Sequence, residues 1–307
     1  MTQFNFKKAF YIKLGESGAW EKDSISTGKL RFGWPDQTLD DINTGRWDLI
    51  EDQLRSEHDK AKGLATRALH GLQIITQSGP DDVWITFCQA KLWWTRVAST
   101  PVEQDNYSKF RRTVQPWSDR SAKDRLLVIN DLPGRLAQLQ GYRWTVCGVT
   151  CPELLDRTLA GTRSDIATAI SCDRTALAQH LSSAIKELHW KDFETLVDLV
   201  FRHTGWIRIS VLGQQAKAYD LELREPITGD RYVVQVKSRA GLADLKATVA
   251  SFSADDFQRV FFVVHSPKED LIRVTDFPDH VQIVFPDKLA QLTIEAGLVG
   301  WLEDKVS

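Results

Sequence analysis

The sequence lacks a transmembrane segment and a Gly-rich loop of the type that binds nucleoside triphosphates. The 307-residue chain has no apolar run long enough for a transmembrane helix, which needs about 18 residues or more. It has no loop of the GxxxxGK[ST] type, so translocation along DNA driven by NTP hydrolysis is not expected within this chain. The net charge of −2 gives no general attraction to nucleic acid, so any such contact must come from local patches.

Cysteine is scarce and poorly spaced for a metal site. Of the four cysteines, only Cys147 and Cys151 lie close together, and no second pair with zinc spacing follows. We therefore expect reduced thiols rather than structural zinc. The N-terminal stretch MTQFNFKKAFYIKLG has no apolar signal-peptide core, so a cytoplasmic protein is expected.

The patterns of apolar residues change about halfway along the chain. The first half has β-rich stretches at 8–14 and 83–97 and a helical stripe at 48–75, which indicate a mixed domain. Two helical patterns in residues 152–185 are interpreted as a connector. From residue 186 the order is helix, four strands and helix, which predicts an α/β layer around a mixed sheet.

A hairpin at residues 217–238, KAYDLELREPITGDRYVVQVKS, carries polar side chains where a buried sheet would have apolar ones. Because side chains alternate along a strand, Gln235 and Lys237 share one face of the second strand. Asp220 lies on the first strand, and the REPITGD segment between the strands suits a turn. The three polar side chains can therefore converge on one side of the sheet.

This set of side chains suits a divalent metal ion. Asp220 is a hard oxygen ligand of the kind that Mg²⁺ or Mn²⁺ prefers, and the Gln235 amide and Val236 carbonyl can add neutral oxygens. Lys237 can hold the attacking water and offset phosphate charge, while the metal lowers the pKa of that water. Glu194 on the preceding helix can complete the site. The alternative is a cross-strand ion pair of Asp220 with Lys237 on a solvated face.

The order of these residues resembles the PD-(D/E)XK nucleases, and the Gln variant is similar to the Mrr-like restriction endonucleases. The matching segments are DFETLVDLVFRHTGW, the Asp of AYDLEL, and VQVKS, within about residues 186–290. The resemblance implies a three-layer nuclease domain with Asp220 as metal ligand, Gln235 in the second motif position, Lys237 as catalytic lysine and Glu194 as helix acid. The glutamine removes a negative charge, which leaves one-metal and two-metal chemistry open.

Tryptophan is abundant, with 11 residues in the chain. The stretch FYIKLGESGAWEKDSISTGKLRFGWPD resembles the opening of EVE-like domains, relatives of the PUA and YTH folds. Those small mixed β-barrels can hold a flipped modified base in an aromatic pocket, where stacking offsets the cost of flipping. The candidates for base contact are Trp20, Trp34, Trp94 and Tyr11, and packing in the core is the alternative for each.

A polar stretch at residues 106–125 mixes basic and aromatic side chains. Lys109, Arg111, Arg112 and Arg120 are expected to contact the DNA backbone, because basic residues interleaved with aromatic ones suit phosphate binding and stacking. An ordinary solvated loop is the alternative.

The predicted protein is a modification-dependent, type IV-like restriction endonuclease that serves phage defence. An α+β domain at 1–151, with the mixed barrel, would flip and read a modified base in double-stranded DNA, in particular a modified cytosine. A helical connector at 152–185 would lead to an α/β nuclease domain at 186–307, which hydrolyses phosphodiesters with Mg²⁺. A double-strand break needs two active sites, so a homodimer is expected, at least on DNA. The alternatives are a structure-specific repair or recombination nuclease and a non-catalytic reader of RNA or DNA.

Overall fold

The chain forms two compact units, Met1–Asp165 and Ile166–Ser307. The computed structural model describes residues 4–57, 62–209, 219–252 and 256–307. The sequence-based domain boundaries, at residues 151 and 186, remain predictions. Across the described segments, no helix combines the length and apolarity needed to cross a bilayer.

The described part of the first unit has a four-stranded and a three-stranded sheet, with helices packed against them. Its strands are β1 (Ala9–Ile12), β2 (Lys29–Phe32), β3 (Val83–Cys88), β4 (Lys91–Thr95), β5 (Glu103–Gln104), β6 (Lys109–Arg112) and β7 (Val146–Gly148). Its helices are α1 (Glu21–Thr27), α2 (Leu39–Thr44), α3 (Trp47–Glu57), α4 (Lys62–Gln77), α5 (Gly134–Ala137) and α6 (Pro152–Ala160).

The larger sheet has the order β4-β3-β1-β7, and its two faces belong to two different cores. Along β1, Tyr11 packs into one core while Ile12 packs into the other, as strand alternation requires. The core on the Ile12 side includes Leu72 and Ile75 of α4, which is amphipathic. The predicted helix at 48–75 is thus α3 and α4, and residues 58–61 lie outside the described residues.

The strands of the first unit do not close into the mixed β-barrel that the EVE resemblance implied. The smaller sheet has the order β2-β6-β5, and β5 contributes only two residues. The outer edge of β4 meets single-residue bridges, such as Trp94 with Ser118, instead of a continuous ladder. Closure needs continuous pairing around the whole ring. In the described residues, therefore, two sheets are joined only locally, for example by the Val97–Thr113 bridge.

Two predicted DNA contacts prove to be part of the fold. Lys109 and Arg111 lie on β6 and are each only 3% exposed. The Lys109 ammonium donates to the carbonyl of Trp34 at 2.6 Å. The Arg111 guanidinium donates to the carbonyls of Ile75 at 2.8 Å and Ala98 at 2.6 Å. The prediction that these two cations bind phosphate is corrected, because both already bind backbone oxygens in the interior.

The second unit is built on one five-stranded mixed sheet, in the order β12-β11-β10-β9-β8. Its strands are β8 (Ile207–Arg208), β9 (Leu221–Arg224), β10 (Arg231–Ala240), β11 (Arg259–Pro267) and β12 (Val281–Val284). Its helices are α7 (Asp165–Glu187, which starts at the last residue of the first unit), α8 (Trp190–His203), α9 (Leu242–Ala250), α10 (Glu269–Ile272), α11 (Pro286–Glu295) and α12 (Val299–Val306). Strands β10, β11 and β12 are parallel, while β9 pairs with β10 in the antiparallel sense.

Helices cover both faces of this sheet, so the second unit has three layers. Val234 and Val236 of β10 pack against Phe193 of α8 in one core. Val233, on the opposite face of the same strand, packs with Leu245 of α9 in the other. This burial on both faces explains the continuous apolar runs of the parallel strands.

Replacing Arg111 with alanine should destabilise the first unit, because several buried carbonyls at the end of α4 would lose a charged donor. We expect the free energy of unfolding to fall by on the order of 3 kcal/mol. Arg112→Ala is the matched control, since its guanidinium is exposed and forms a solvent-accessible ion pair with Glu103. Denaturant unfolding of both variants measures the difference, and equal stability of the two would contradict the structural role of Arg111.

Candidate active site and ligand cavities

The hairpin of β9 and β10 places Asp220 beside Gln235. The antiparallel ladder ends at the pair Leu221–Val234, and the Asp220 amide then donates to the Val234 carbonyl at 3.0 Å. Asp220 therefore stands opposite Gln235, and directly opposed residues of antiparallel strands present their side chains on one face. The structure thus brings together the two residues that the alternation predicted to converge.

Two donors from β10 hold the Asp220 carboxylate. Its Oδ2 accepts a hydrogen bond from the Val236 amide at 2.6 Å and another from the Gln235 side-chain amide. Because the N–H and C=O of one residue in an antiparallel strand point to the same edge, the Val236 carbonyl also points toward this end of the ladder. Gln235 is only 8% exposed, whereas Asp220 is open to solvent.

Helix α8 brings Glu194 to the same edge. Phe193 is buried in the core, which fixes the helix face and directs its neighbour Glu194 toward a cavity of about 140 Å³. Burial raises the pKa of Glu194, the nearby Asp220 carboxylate raises it further, and Lys191 lowers it. Two carboxylates that disfavour each other's charge are an arrangement that a cation stabilises.

Lys237 is half-buried and lines the same cavity as Glu194. It forms no ion pair with any residue of the described segments, so the alternative of a cross-strand pair with Asp220 is not observed. The cavity also contains residues that the sequence did not point to: Trp190, Ser238 and Arg239. Trp190 is the first residue of α8, after His189. No sequence pattern indicates that an aromatic residue at this position lines a cavity.

The donor set fits an ion that keeps several of its waters. Asp220 and Glu194 supply carboxylates, the Val236 carbonyl supplies a neutral oxygen, and the Gln235 amide supplies a second if it turns its oxygen toward the edge. Mg²⁺ and Mn²⁺ are bound in this way, with one or two carboxylates and the remaining positions filled by water or phosphate. The described residues hold no cluster of three or more His, Cys, Asp or Glu side chains.

In the first unit, Trp34 lines a mainly apolar cavity of about 360 Å³. Its ring lies against Gly71 of α4, and Trp34 itself has a φ of 61°. The facing wall holds Trp144, with the Arg67 guanidinium 4.6 Å from its ring centroid. Neither residue is among the candidates that the sequence indicates, although Trp144 lies two residues before β7. The size and the aromatic walls suit a small planar ligand.

Trp20 lines a separate cavity of about 280 Å³, together with Phe32 and the exposed Tyr107. Gly33 and Pro35 border both this cavity and the one at Trp34. The two cavities therefore share the short loop that carries Trp34.

The other two candidates for base contact are packing residues. Tyr11 is 3% exposed, and burial raises its pKa to about 12. Trp94 donates from Nε1 to the Arg120 carbonyl at 2.8 Å, and its ring meets Phe4 edge-on. The prediction that Tyr11 binds a base is corrected, because its ring is buried in the core. Trp94 is half-buried against that core, and its contact with a base stays a prediction.

The two remaining predicted backbone contacts are exposed. Arg112 pairs with Glu103 at 2.6 Å, and Arg120 pairs with Asp124 at 3.2 Å. Exposed pairs of this kind exchange partners at small cost, so both guanidinium groups stay accessible to phosphate.

Comparison with known proteins agrees with the geometry of the second unit. Residues 185–269 match the family model Mrr_cat, described as restriction endonuclease. This segment contains α8, β9 and β10, so the predicted Mrr-like nuclease is confirmed for these residues, and DNA is the substrate that the family implies. No curated protein matches the chain. A solved structure named DNA modification-dependent restriction endonuclease AspBHI is similar, with 12% identity and a TM-score of 0.33 over 90% of this chain and 79% of that one.

Glu194→Gln should raise the melting temperature in EDTA at neutral pH. The pKa of Glu194 is higher in the folded protein than in the unfolded chain. Its ionised form therefore lowers the stability of the fold at neutral pH. This penalty decreases as the pH falls through the folded pKa and is absent below the unfolded pKa. The difference between the variant and the unmodified protein should therefore shrink on acidification. With Mg²⁺ added, the variant should gain less stability.

Thermal denaturation over a pH series, with EDTA or with Mg²⁺, measures both effects. Asp192→Gln is the control, since Asp192 lies on the same helix but pairs with Lys305. A Glu194 variant that is less stable than the unmodified protein in EDTA would contradict the assignment.

Proposed function

We propose that this chain, whose residues 185–269 form a restriction endonuclease domain, cleaves double-stranded DNA that carries a modified base. The observation that carries the proposal is the end of the β9–β10 ladder, where Asp220 is hydrogen-bonded to Gln235 and lies near Glu194, which lines a cavity together with Lys237. An aromatic cavity in the other unit, at Trp34, supports the reading of a base. A modified cytosine is the base that we propose to test first.

The chemistry proposed for the second unit is hydrolysis of a phosphodiester. Asp220, the Val236 carbonyl and Gln235 would hold Mg²⁺ or Mn²⁺, with Glu194 bound directly or through water. When bound, the ion lowers the pKa of its water and neutralises charge that develops on the phosphate. Lys237 has no carboxylate partner among the described residues, so its ammonium is available to orient the attacking water and to stabilise the pentavalent phosphorus.

The second part of the proposal is that the first unit recognises the modified base by base flipping. Extruding a base costs a few kcal/mol, which stacking and edge hydrogen bonds must offset. The Trp34 cavity offers two indole rings and one cation, and stacking on such a ring contributes roughly 1–3 kcal/mol per base. The cavity at Trp20 is the second candidate, because it is also lined by aromatic side chains, those of Trp20, Phe32 and Tyr107. Arg112 and Arg120 are proposed to contact the phosphates.

Each chain has one such active site, and two strands must be cut for a double-strand break. We therefore propose a homodimer, at least on DNA.

The remaining alternatives are distinguished by substrate. A structure-specific repair nuclease would cut unmodified branched DNA, and a non-catalytic reader would bind RNA or DNA without cutting.

Lys237→Ala should abolish cleavage while leaving DNA binding nearly intact, because the proposed reader lies in the other unit. Removal of one group that stabilises the transition state costs roughly 10²–10³-fold in rate, and loss of water positioning adds to it. The assay is a Mg²⁺-dependent digest of matched plasmids that are unmodified, 5-methylcytosine-containing or 5-hydroxymethylcytosine-containing. Lys246→Ala, on α9, serves as the control. Retained cutting by the Lys237 variant would contradict the active-site assignment. Equal cutting of all three plasmids by the unmodified protein would contradict the proposed recognition of a modified cytosine.

Trp34→Ala should reduce the preference for modified over unmodified DNA by roughly tenfold, the value of one stacked base. Trp94→Ala is the matched control, because its ring packs in another core and lines neither cavity. Binding to labelled duplexes in EDTA measures the preference for both variants, alongside their melting temperatures. An unchanged preference in a folded Trp34 variant would exclude this cavity and leave the one at Trp20.

A further inference from the structure

The hairpin of β5 and β6 carries an exposed tyrosine at its tip. Residues 105–108, with the sequence DNYS, connect the two strands. Tyr107 is 74% exposed, which is more than any other aromatic side chain in the described part of the chain. A single exposed aromatic residue is common on protein surfaces and indicates no function by itself. Tyr107 differs because its backbone is rigidly held and because its hairpin is attached to the loop that carries Trp34.

The backbone of the tip is fixed by a carboxylate that buried and half-buried cations hold in place. The Asp105 carboxylate accepts hydrogen bonds from the amides of Tyr107 at 3.0 Å and Ser108 at 3.2 Å. The same carboxylate is bound by both terminal nitrogens of Arg31, at 2.8 and 2.9 Å, and by Lys29 at 2.8 Å. Arg31 is only 1% exposed, and a bidentate pair of this kind fixes the orientation of both groups. The Tyr107 side chain therefore projects from a rigid turn.

The same hairpin is attached to the loop that carries Trp34. Lys109, two residues after Tyr107, donates from its ammonium to the carbonyls of Trp34 at 2.6 Å and Pro35 at 3.2 Å. Tyr107 also lines the smaller of the two aromatic cavities, which shares Pro35 with the Trp34 cavity. The exposed tip and the Trp34 cavity are therefore held at a fixed separation by a direct contact between their two segments.

The ion pairs of the tip leave it without an excess of negative charge. The two carboxylates at its base, Asp23 and Asp105, are paired with Arg31 and Lys29. Arg112, at the other end of β6, is exposed and is proposed above to contact a phosphate. The hairpin can therefore approach a duplex without net electrostatic repulsion.

Base flipping leaves a gap in the base stack, and the cost of extrusion includes the stacking that is lost there. Proteins that distort a duplex insert side chains between base steps, and an aromatic ring in the gap restores stacking with the neighbouring bases. A ring that serves this purpose must be exposed, must project from the surface, and must be held at a fixed distance from the cavity that takes the base. Tyr107 meets these three conditions.

We propose that Tyr107 is a wedge: its ring enters the duplex, fills the gap left by the modified base and keeps that base extruded at Trp34. This inference rests on the proposed function, because it takes a flipped base to be bound in the Trp34 cavity. The wedge and the cavity act on different parts of the DNA. The cavity binds the base itself, whereas the wedge binds the space that the base has left.

The test uses the full chain carrying Lys237→Ala, in EDTA, so that DNA stays intact. Binding is measured to duplexes that differ at one position, which holds 5-methylcytosine, 5-hydroxymethylcytosine, cytosine or an abasic nucleotide. The abasic duplex offers the gap but no base for Trp34. Tyr107→Ala should weaken binding to the preferred modified duplex and to the abasic duplex by roughly tenfold each, the contribution of one stacked ring. Trp34→Ala should weaken only the first, and Tyr107→Phe, which keeps the ring, should bind both like the parent protein.

Asn106→Ala is the matched control, because it changes the exposed neighbour of Tyr107 and leaves the hydrogen bonds of Asp105 in place. Melting temperatures of all variants check that each is folded. A tyrosine that only lines a base cavity would affect the modified duplex and not the abasic one, and this result would overturn the wedge. Unchanged binding of both duplexes by Tyr107→Ala, with modified DNA still preferred, would also overturn it and leave the reader intact. Equal binding of modified and unmodified duplexes by the parent protein would overturn the proposed reader and the wedge together.

Discussion

The proposed active site at the end of the β9–β10 ladder depends on one hydrogen bond, from the Val236 amide to the Asp220 carboxylate. The β9–β10 ladder ends at Val234, two residues before Val236, so this amide of a buried strand would otherwise lack a partner. A side-chain acceptor at that position satisfies the strand and is held in turn by it. The same termination leaves the Val236 carbonyl without a ladder partner on that edge. The position of the proposed metal ligands is therefore a consequence of where the hairpin stops pairing.

The second unit was largely predictable because its signals are local. Alternation along VVQVKS fixed which side chains share a face, and the helical stripe from Phe193 to Phe201 predicted the helix that carries Glu194. Both patterns reflect a sheet with apolar layers on its two faces, which leaves few choices for a polar residue. The flanking residues Trp190, Ser238 and Arg239 were not predicted. Their place at the cavity depends on the crossing of α8 over β10, which no short pattern encodes.

The first unit was harder to predict because its polar residues have structural roles. The stretch KFRR was interpreted as a phosphate-binding surface, yet Lys109 and Arg111 turn inward to carbonyls of distant segments. Their partners lie at Trp34 and at the end of α4, more than thirty residues away in sequence. The tryptophans show the same ambiguity. Nothing in the sequence around Trp34 and Trp94 distinguishes them, yet of the two only Trp34 lines one of the cavities described above. Both side chains are half-buried, and the cavity that distinguishes Trp34 is a property of the assembled fold.

The glutamine at position 235 has a consequence for how metal and DNA would bind together. Apart from the exposed Arg239 at its rim, the proposed active site holds two carboxylates, Asp220 and Glu194, and one lysine, which leave a single excess negative charge. A site of this kind repels a phosphate until a divalent ion arrives, and then carries a single excess positive charge. Ion and DNA would therefore bind with positive cooperativity, each strengthening the affinity of the other by the same factor. With a third carboxylate in place of Gln235, the loaded site would be neutral, and much of this coupling would be lost.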